Sequence, residues 1–108
     1  MASTFTSYVA KDVGTSPATL LTVPSATVDT VIGLSVANTT AGSITFDVYI
    51  TRSAVNYYII KGAVVPSGST FIMSGGDQKI VLVAADVLKV VTNTATSADV
   101  IASVLEIA

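Results

Sequence analysis

Hydrophobic and polar residues alternate with a period of two along most of this chain. The pattern is plainest at Ile44-Thr45-Phe46-Asp47-Val48-Tyr49-Ile50-Thr51. Ile44, Phe46, Val48 and Ile50 fall on one side of an extended backbone there, and Thr45, Asp47, Tyr49 and Thr51 on the other. Such alternation marks a strand with one face in a core and the other in solvent. Comparable stretches predict strands near 4–12, 18–23, 28–37, 43–52, 55–61, 69–73, 78–84, 87–92 and 98–107, and no segment carries a helical period. Seventeen Val and nine Ile support these assignments, because β-branched side chains pack well on a pleated surface.

The connections carry turn chemistry. Pro17 and Pro24 bracket the second strand, and a residue without an N–H is out of place in the middle of a sheet. Arg52-Ser53-Ala54 reads as a tight reversal into Val55. Gly68, in Pro66-Ser67-Gly68-Ser69, and Gly75 and Gly76, in Ser74-Gly75-Gly76-Asp77, offer the positive φ that tight turns require. Asp86 lies between two apolar runs, where its carboxylate can accept backbone N–H groups and fix a corner. Closely spaced strands and turns predict an all-β fold: an antiparallel β-sandwich of jelly-roll or Greek-key type. Its eight to nine strands would form a single domain over residues 1–108.

Several strands break the simple alternation. In 28–37, Ile32, Leu34 and Val36 share one side, yet Val31, Gly33, Ser35 and Ala37 opposite them are also small or apolar. Val81, Leu82 and Val83, and Val87, Leu88, Val90 and Val91, likewise load both sides. A sandwich buries one face of each sheet, so a second apolar face calls for another chain. The plainer alternative is that Ala, Thr and Val sit exposed on a weakly polar surface.

Composition removes several function classes. Only 11% of the 108 residues are charged, with net charge −2, against ~25% in an ordinary soluble domain. Ser and Thr take their place, with 27 residues between them. Without His or Cys, imidazole or thiolate metal sites and Ser-His or Cys-His nucleophiles are excluded. Five Lys and Arg against seven Asp and Glu do not make the basic surface that nucleic acids need. The mean hydropathy of +0.75 is high, but the longest unbroken apolar stretch, 80–85, is far short of the ~20 residues of a spanning helix. The N-terminal segment also lacks the features of a secretory leader. The acids Asp12, Asp29, Asp47, Asp77, Asp86, Asp99 and Glu106 show no paired-carboxylate spacing, so only tertiary contact could assemble a dyad.

These observations lead us to expect a non-enzymatic protein without cofactor or metal, with neither nucleic acid nor membrane as partner. Weak self-repulsion and hydroxyl-rich surfaces suggest a homo-oligomer, a trimer being the first expectation. Arg52, Tyr58, Lys61 and Asp77, at turns and strand ends, are the candidate interface residues. Tyr49, Tyr57 and Tyr58 leave open a sugar-stacking surface, and with it a receptor- or carbohydrate-binding module as the alternative function. A small hydrolase using two carboxyls is a further rival.

From Val31-Ile32-Gly33-Leu34-Ser35-Val36-Ala37-Asn38 onward, the chain resembles small virion structural proteins of tailed phages, particularly marine cyanophages. The matching stations are Asp47-Val48-Tyr49-Ile50-Thr51-Arg52, Tyr57-Tyr58-Ile59-Ile60-Lys61, Val65-Pro66-Ser67-Gly68-Ser69, Gly75-Gly76-Asp77-Gln78-Lys79-Ile80-Val81-Leu82, Asp86-Val87-Leu88-Lys89-Val90 and Ser103-Val104-Leu105-Glu106-Ile107. The resemblance implies a β-sandwich in the virion, assembled in the host bacterial cytoplasm. Its expected partners are major capsid, neck or tail proteins, with the chain acting as a decoration or cement protein or as a neck or tail component.

Overall fold

Alternating side chains along the chain settle into nine strands among the described residues. The computed structural model describes residues 3–74 and 80–108. The strands are β1 (Ser3–Val13), β2 (Ala18–Thr22), β3 (Val28–Asn38), β4 (Ile44–Arg52), β5 (Val55–Val65), β6 (Thr70–Ser74), β7 (Ile80–Leu82), β8 (Val87–Thr92) and β9 (Ala98–Ile107). All pair antiparallel, in two sheets. One has the order β1-β9-β3-β6, with β7 also pairing to β3; the other has the order β2-β8-β4-β5. β6 pairs with the C-terminal half of β3 and β7 with its N-terminal end, so the two share one sheet edge. Apart from the β4–β5 hairpin and this shared edge, each strand is followed by one in the opposite sheet. This is the double Greek-key winding of a jelly roll, and it gives the sequence-based expectation of an antiparallel sandwich its specific form.

The core is the inner face of both sheets. Ile44, Phe46 and Val48 from β4 meet Val31, Leu34 and Val36 from β3 and Val100, Ala102 and Val104 from β9, all buried. Phe46 and Phe71 meet edge to face at 5.1 Å between ring centres, tying β4 to β6 across the layers. β9 follows its sequence pattern: Val100, Ala102 and Val104 are buried while Ile101 faces outward.

β3 departs from the expected phase. Its register with β9 shifts between Val31 and Gly33, and the extra residue of such a bulge flips the side chains beyond it. Val31 therefore points inward with Leu34 and Val36, and Ile32 is left only half-buried. β5 runs four residues beyond its predicted end, because Gly62 adopts φ +67 and lets the strand continue to Val65. In place of the predicted strand 78–84, the described part is the short β7; the expected turn residues Gly75, Gly76 and Asp77 lie outside the described residues.

The corners are held by polar groups with complete sets of partners. Asn38, buried at the end of β3, donates from Nδ2 to the carbonyls of Gly42 (2.7 Å) and Val65 (3.0 Å). Its Oδ1 accepts from the Thr40 N–H (2.9 Å) and hydroxyl (2.8 Å), using every bonding position of the amide. Beyond β1, Gly14 packs so close to Ala95 and Thr96 that an added Cβ would lie 3.1 Å from the Thr96 nitrogen. Its carbonyl accepts from the Thr92 N–H, and the Thr92 and Ser97 hydroxyls meet at 2.7 Å beside the Val13 carbonyl.

Candidate interaction face

The outer faces of the two sheets differ in chemistry. Across the β2-β8-β4-β5 sheet, Thr19, Lys89, Tyr49 and Tyr58 form one cross-strand row. Its two tyrosines are engaged with each other and with a neighbouring ion pair. The Tyr49 and Tyr58 rings lie 5.0 Å apart, the Lys61 ammonium sits 4.5 Å over the Tyr58 ring, and Lys61 pairs with Asp47 at 3.3 Å. Asp47 also accepts the Gly62 N–H at 2.7 Å. The hydrogen bond and charge of Asp47 raise the Lys61 pKa. Tyr49, placed by its pattern on the wet side, is only 5% exposed because Tyr58 covers it. Burial raises its pKa. Tyr49 therefore presents no open ring for a sugar to stack on.

Arg52 is also committed within the chain. Its Nε and Nη2 donate to the two carboxylate oxygens of Asp86 at 2.8 and 2.6 Å, while Asp86 is itself buried. Asp86 further accepts the Val83 N–H at 2.9 Å, and the backbones of Val23 and Ala85 close the same corner. The hydrogen bonds from Arg52 hold Asp86 below the usual aspartate range despite its burial. Gly68 takes φ +70 in the turn closed by the Ser69 N–H on the Pro66 carbonyl. Of the four residues the sequence nominated for an interface, Arg52, Tyr58 and Lys61 thus lie on β4 and β5 with partners of their own. Asp77 lies outside the described residues.

The β1-β9-β3-β6 sheet has the opposite character. Its outer side carries Phe5 (74% exposed), Val9 (70%), Ile72 (71%), Val81 (54%) and Ile101 (48%). The register arranges these residues in two bands. Phe5, Leu105, Thr30 and Val81 form one row, and Val9, Ile101, Ser35 and Ile72 another. Between them run the small residues Ser7, Ser103 and Gly33. The result is two apolar ridges beside a furrow with hollows of about 380 Å³, lined by Phe5, Ser7, Ile32 and Ser103 among others, and about 210 Å³, beside Gly33, Ser35, Ile72 and Ile101. Among the described residues of this face, charge enters at one end, where Lys11 pairs with Asp99 at 3.5 Å. Alternation alone could have located Ile101 and Val81. Phe5 and Val9 were less legible because nothing in the sequence shows that β1 lies beside β9.

The fold also assembles a carboxyl pair that local spacing did not reveal. Asp29 of β3 and Glu106 of β9 are direct cross-strand neighbours, and the Tyr8 hydroxyl of β1 donates to Glu106 at 3.2 Å. Asp29 has no solvent exposure, and neither of its oxygens has a hydrogen-bond partner among the described residues. Two ionised carboxylates are both acceptors, so they bond only when one holds a proton. Burial, then the bond and charge of Glu106, raise the Asp29 pKa from 3.8 to about 6. Sealed from solvent, Asp29 is placed to affect stability rather than to meet a substrate. Comparison with known proteins finds no matching family model, curated sequence or solved structure.

Proposed function

We propose that this chain is a non-enzymatic structural subunit that self-associates and attaches to a larger particle. The particle implied by the sequence resemblance is the tailed-phage virion, with the subunit serving as a capsid decoration or cement protein or as a neck or tail component. One observation carries this reading: an outer sheet face bearing five large apolar residues in two bands, with charge at its margin among the described residues. Monomers seldom leave such contiguous apolar area in water, and its burial stabilises contacts by roughly 25 cal/mol per Å² before association costs are subtracted. On the opposite face Tyr49, Tyr58, Lys61 and Asp47 are engaged with one another. On this reading the work is mechanical: area buried between subunits and particle reinforces the assembly.

The test is to image tailed-phage particles carrying this gene with a gold-labelled antibody against the chain. Regular labelling of head, neck or tail supports the proposal. Absence of the chain from purified particles contradicts it.

A further inference from the structure

A jelly roll has four edge strands, and an exposed edge invites pairing with any free strand unless something blunts it. Three edges here carry such devices. β2 is five residues long, bracketed by Pro17 and Pro24, and out of register with β8 between Thr19 and Leu21. β5 slips register with β4 twice, presents Lys61, and has the Gly62 N–H sealed by Asp47. The β6 and β7 edge consists of two strands of five and three residues.

β1 has none of these devices over most of its length. It spans eleven residues, and Ser3–Ala10 pairs with β9 without interruption. That stretch, Ser3-Thr4-Phe5-Thr6-Ser7-Tyr8-Val9-Ala10, contains no charge, proline or glycine. The first charged side chain is Lys11, already paired with Asp99. Its two most exposed apolar residues, Phe5 and Val9, stand symmetrically about Ser7 on the outer face.

This symmetry identifies the occupant. We propose that two copies of this chain pair their β1 strands antiparallel about a two-fold axis through Ser7, joining their β1-β9-β3-β6 sheets into one. In this register Ser7 faces the partner's Ser7, Phe5 faces the partner's Val9 on each side of the axis, and Thr6 faces the partner's Tyr8. Shifting it by two residues would set Phe5 against Ser7 or Lys11 and lose both aromatic–β-branched pairs, which favour antiparallel ladders. No like charges are brought face to face within Ser3–Ala10. Eight residues a side make a ladder at the small end of stable interfaces, which average about 800 Å² per partner. Dimerisation is therefore concentration-dependent, and the apolar bands of the two copies run on across the junction. The ladder closes on a two-fold, so its product is a dimer where the sequence first suggested a trimer. This inference rests on the reading of the chain as a self-associating subunit and names the contact that begins the assembly.

The chain has no cysteine, so one introduced thiol can form a disulfide only between copies. Residues directly opposed in an antiparallel ladder have Cα atoms about 4.5–5.5 Å apart, within disulfide reach. Ser7→Cys is compared with Ser16→Cys, in an exposed turn, under mild oxidation, with far-UV circular dichroism confirming the fold and light scattering giving the wild-type mass. The expected result is Ser7→Cys dimer forming at least tenfold faster, and adding Val9→Lys abolishes that advantage. A wild-type oligomer with no advantage for Ser7→Cys overturns the β1 contact alone. A wild-type monomer at every concentration overturns both this contact and self-association.

Discussion

Arg52 grips Asp86 through two hydrogen bonds of 2.8 and 2.6 Å, joining the β4–β5 hairpin to the corner that leads into β8. The residues are distant in sequence and close only because β8 pairs with β4. The carboxylate is buried while the guanidinium is partly exposed, so most of the structural consequence rests on Asp86. Asp86→Ala removes the acceptor of the Val83 N–H and of two Arg52 hydrogen bonds and should cost roughly 1–3 kcal/mol, the usual range for losing hydrogen bonds to a charged group. Urea unfolding at pH 7 measures this directly. Arg52→Ala should also destabilise, by leaving a buried carboxylate unpaired.

Asp29 should influence stability in the opposite pH direction from Asp86. Its folded pKa, about 6, lies above its unfolded value of 3.8. As pH falls from 7 through 6 toward 4, the native chain takes up a proton that the unfolded chain does not, and stability rises. The full difference is worth on the order of 3 kcal/mol. Asp86, held below 3.8, contributes stability that is present above that value and lost as pH falls further. The wild-type stability profile should therefore peak near pH 4–5 (roughly, from the two carboxyl windows). Asp29→Asn gives Glu106 a donor and removes the buried charge. Urea titrations should show it stabilising the protein at pH 7 by about 1–3 kcal/mol and flattening the rise below pH 6.

Asn38 tests the polar corner that ends β3. Its amide donates to two carbonyls and accepts from Thr40. Asn38→Asp keeps the shape but sets carboxylate oxygens against the Gly42 and Val65 carbonyls. We expect a loss of about 3 kcal/mol or more at pH 7, partly recovered as the new carboxyl protonates. Thermal denaturation at pH 7 and pH 4 separates these two outcomes.

The strands were legible where one face meets the core and the other meets water, as in 44–48 and 98–104. In those stretches a period of two reports burial directly. Legibility failed where contacts between strands override that local rule. The bulge at Ile32 is set by pairing with β9, and the burial of Tyr49 by Tyr58 on the neighbouring strand. The Asp29–Glu106 neighbourhood likewise requires the jelly-roll strand order, which alternation does not encode. The surroundings of the nominated interface residues were hidden for a related reason. Charged and aromatic side chains at strand ends look available in sequence, yet Arg52 and Lys61 are engaged by Asp86 and Asp47. The apolar bands of the other sheet, by contrast, are built from Phe5 and aliphatic residues spread over β1, β6, β7 and β9.

Ile72 and Ile101 flank Ser35 in the same outer row and face solvent. Lysine at either position removes no core contact, so each single substitution should change monomer stability by less than about 0.5 kcal/mol. Urea unfolding at high dilution, where association is absent, provides the check.

Sedimentation equilibrium of the wild type beside Ile72→Lys/Ile101→Lys, over a wide range of concentrations, tests most directly whether the apolar face is built to be covered. The account predicts a wild-type mass that climbs with concentration from the 11.0 kDa monomer to multiples of it, and a double variant that associates far more weakly while keeping its β-sheet spectrum. A wild type that stays at 11.0 kDa throughout, or a double variant that associates as strongly as the wild type, would contradict it.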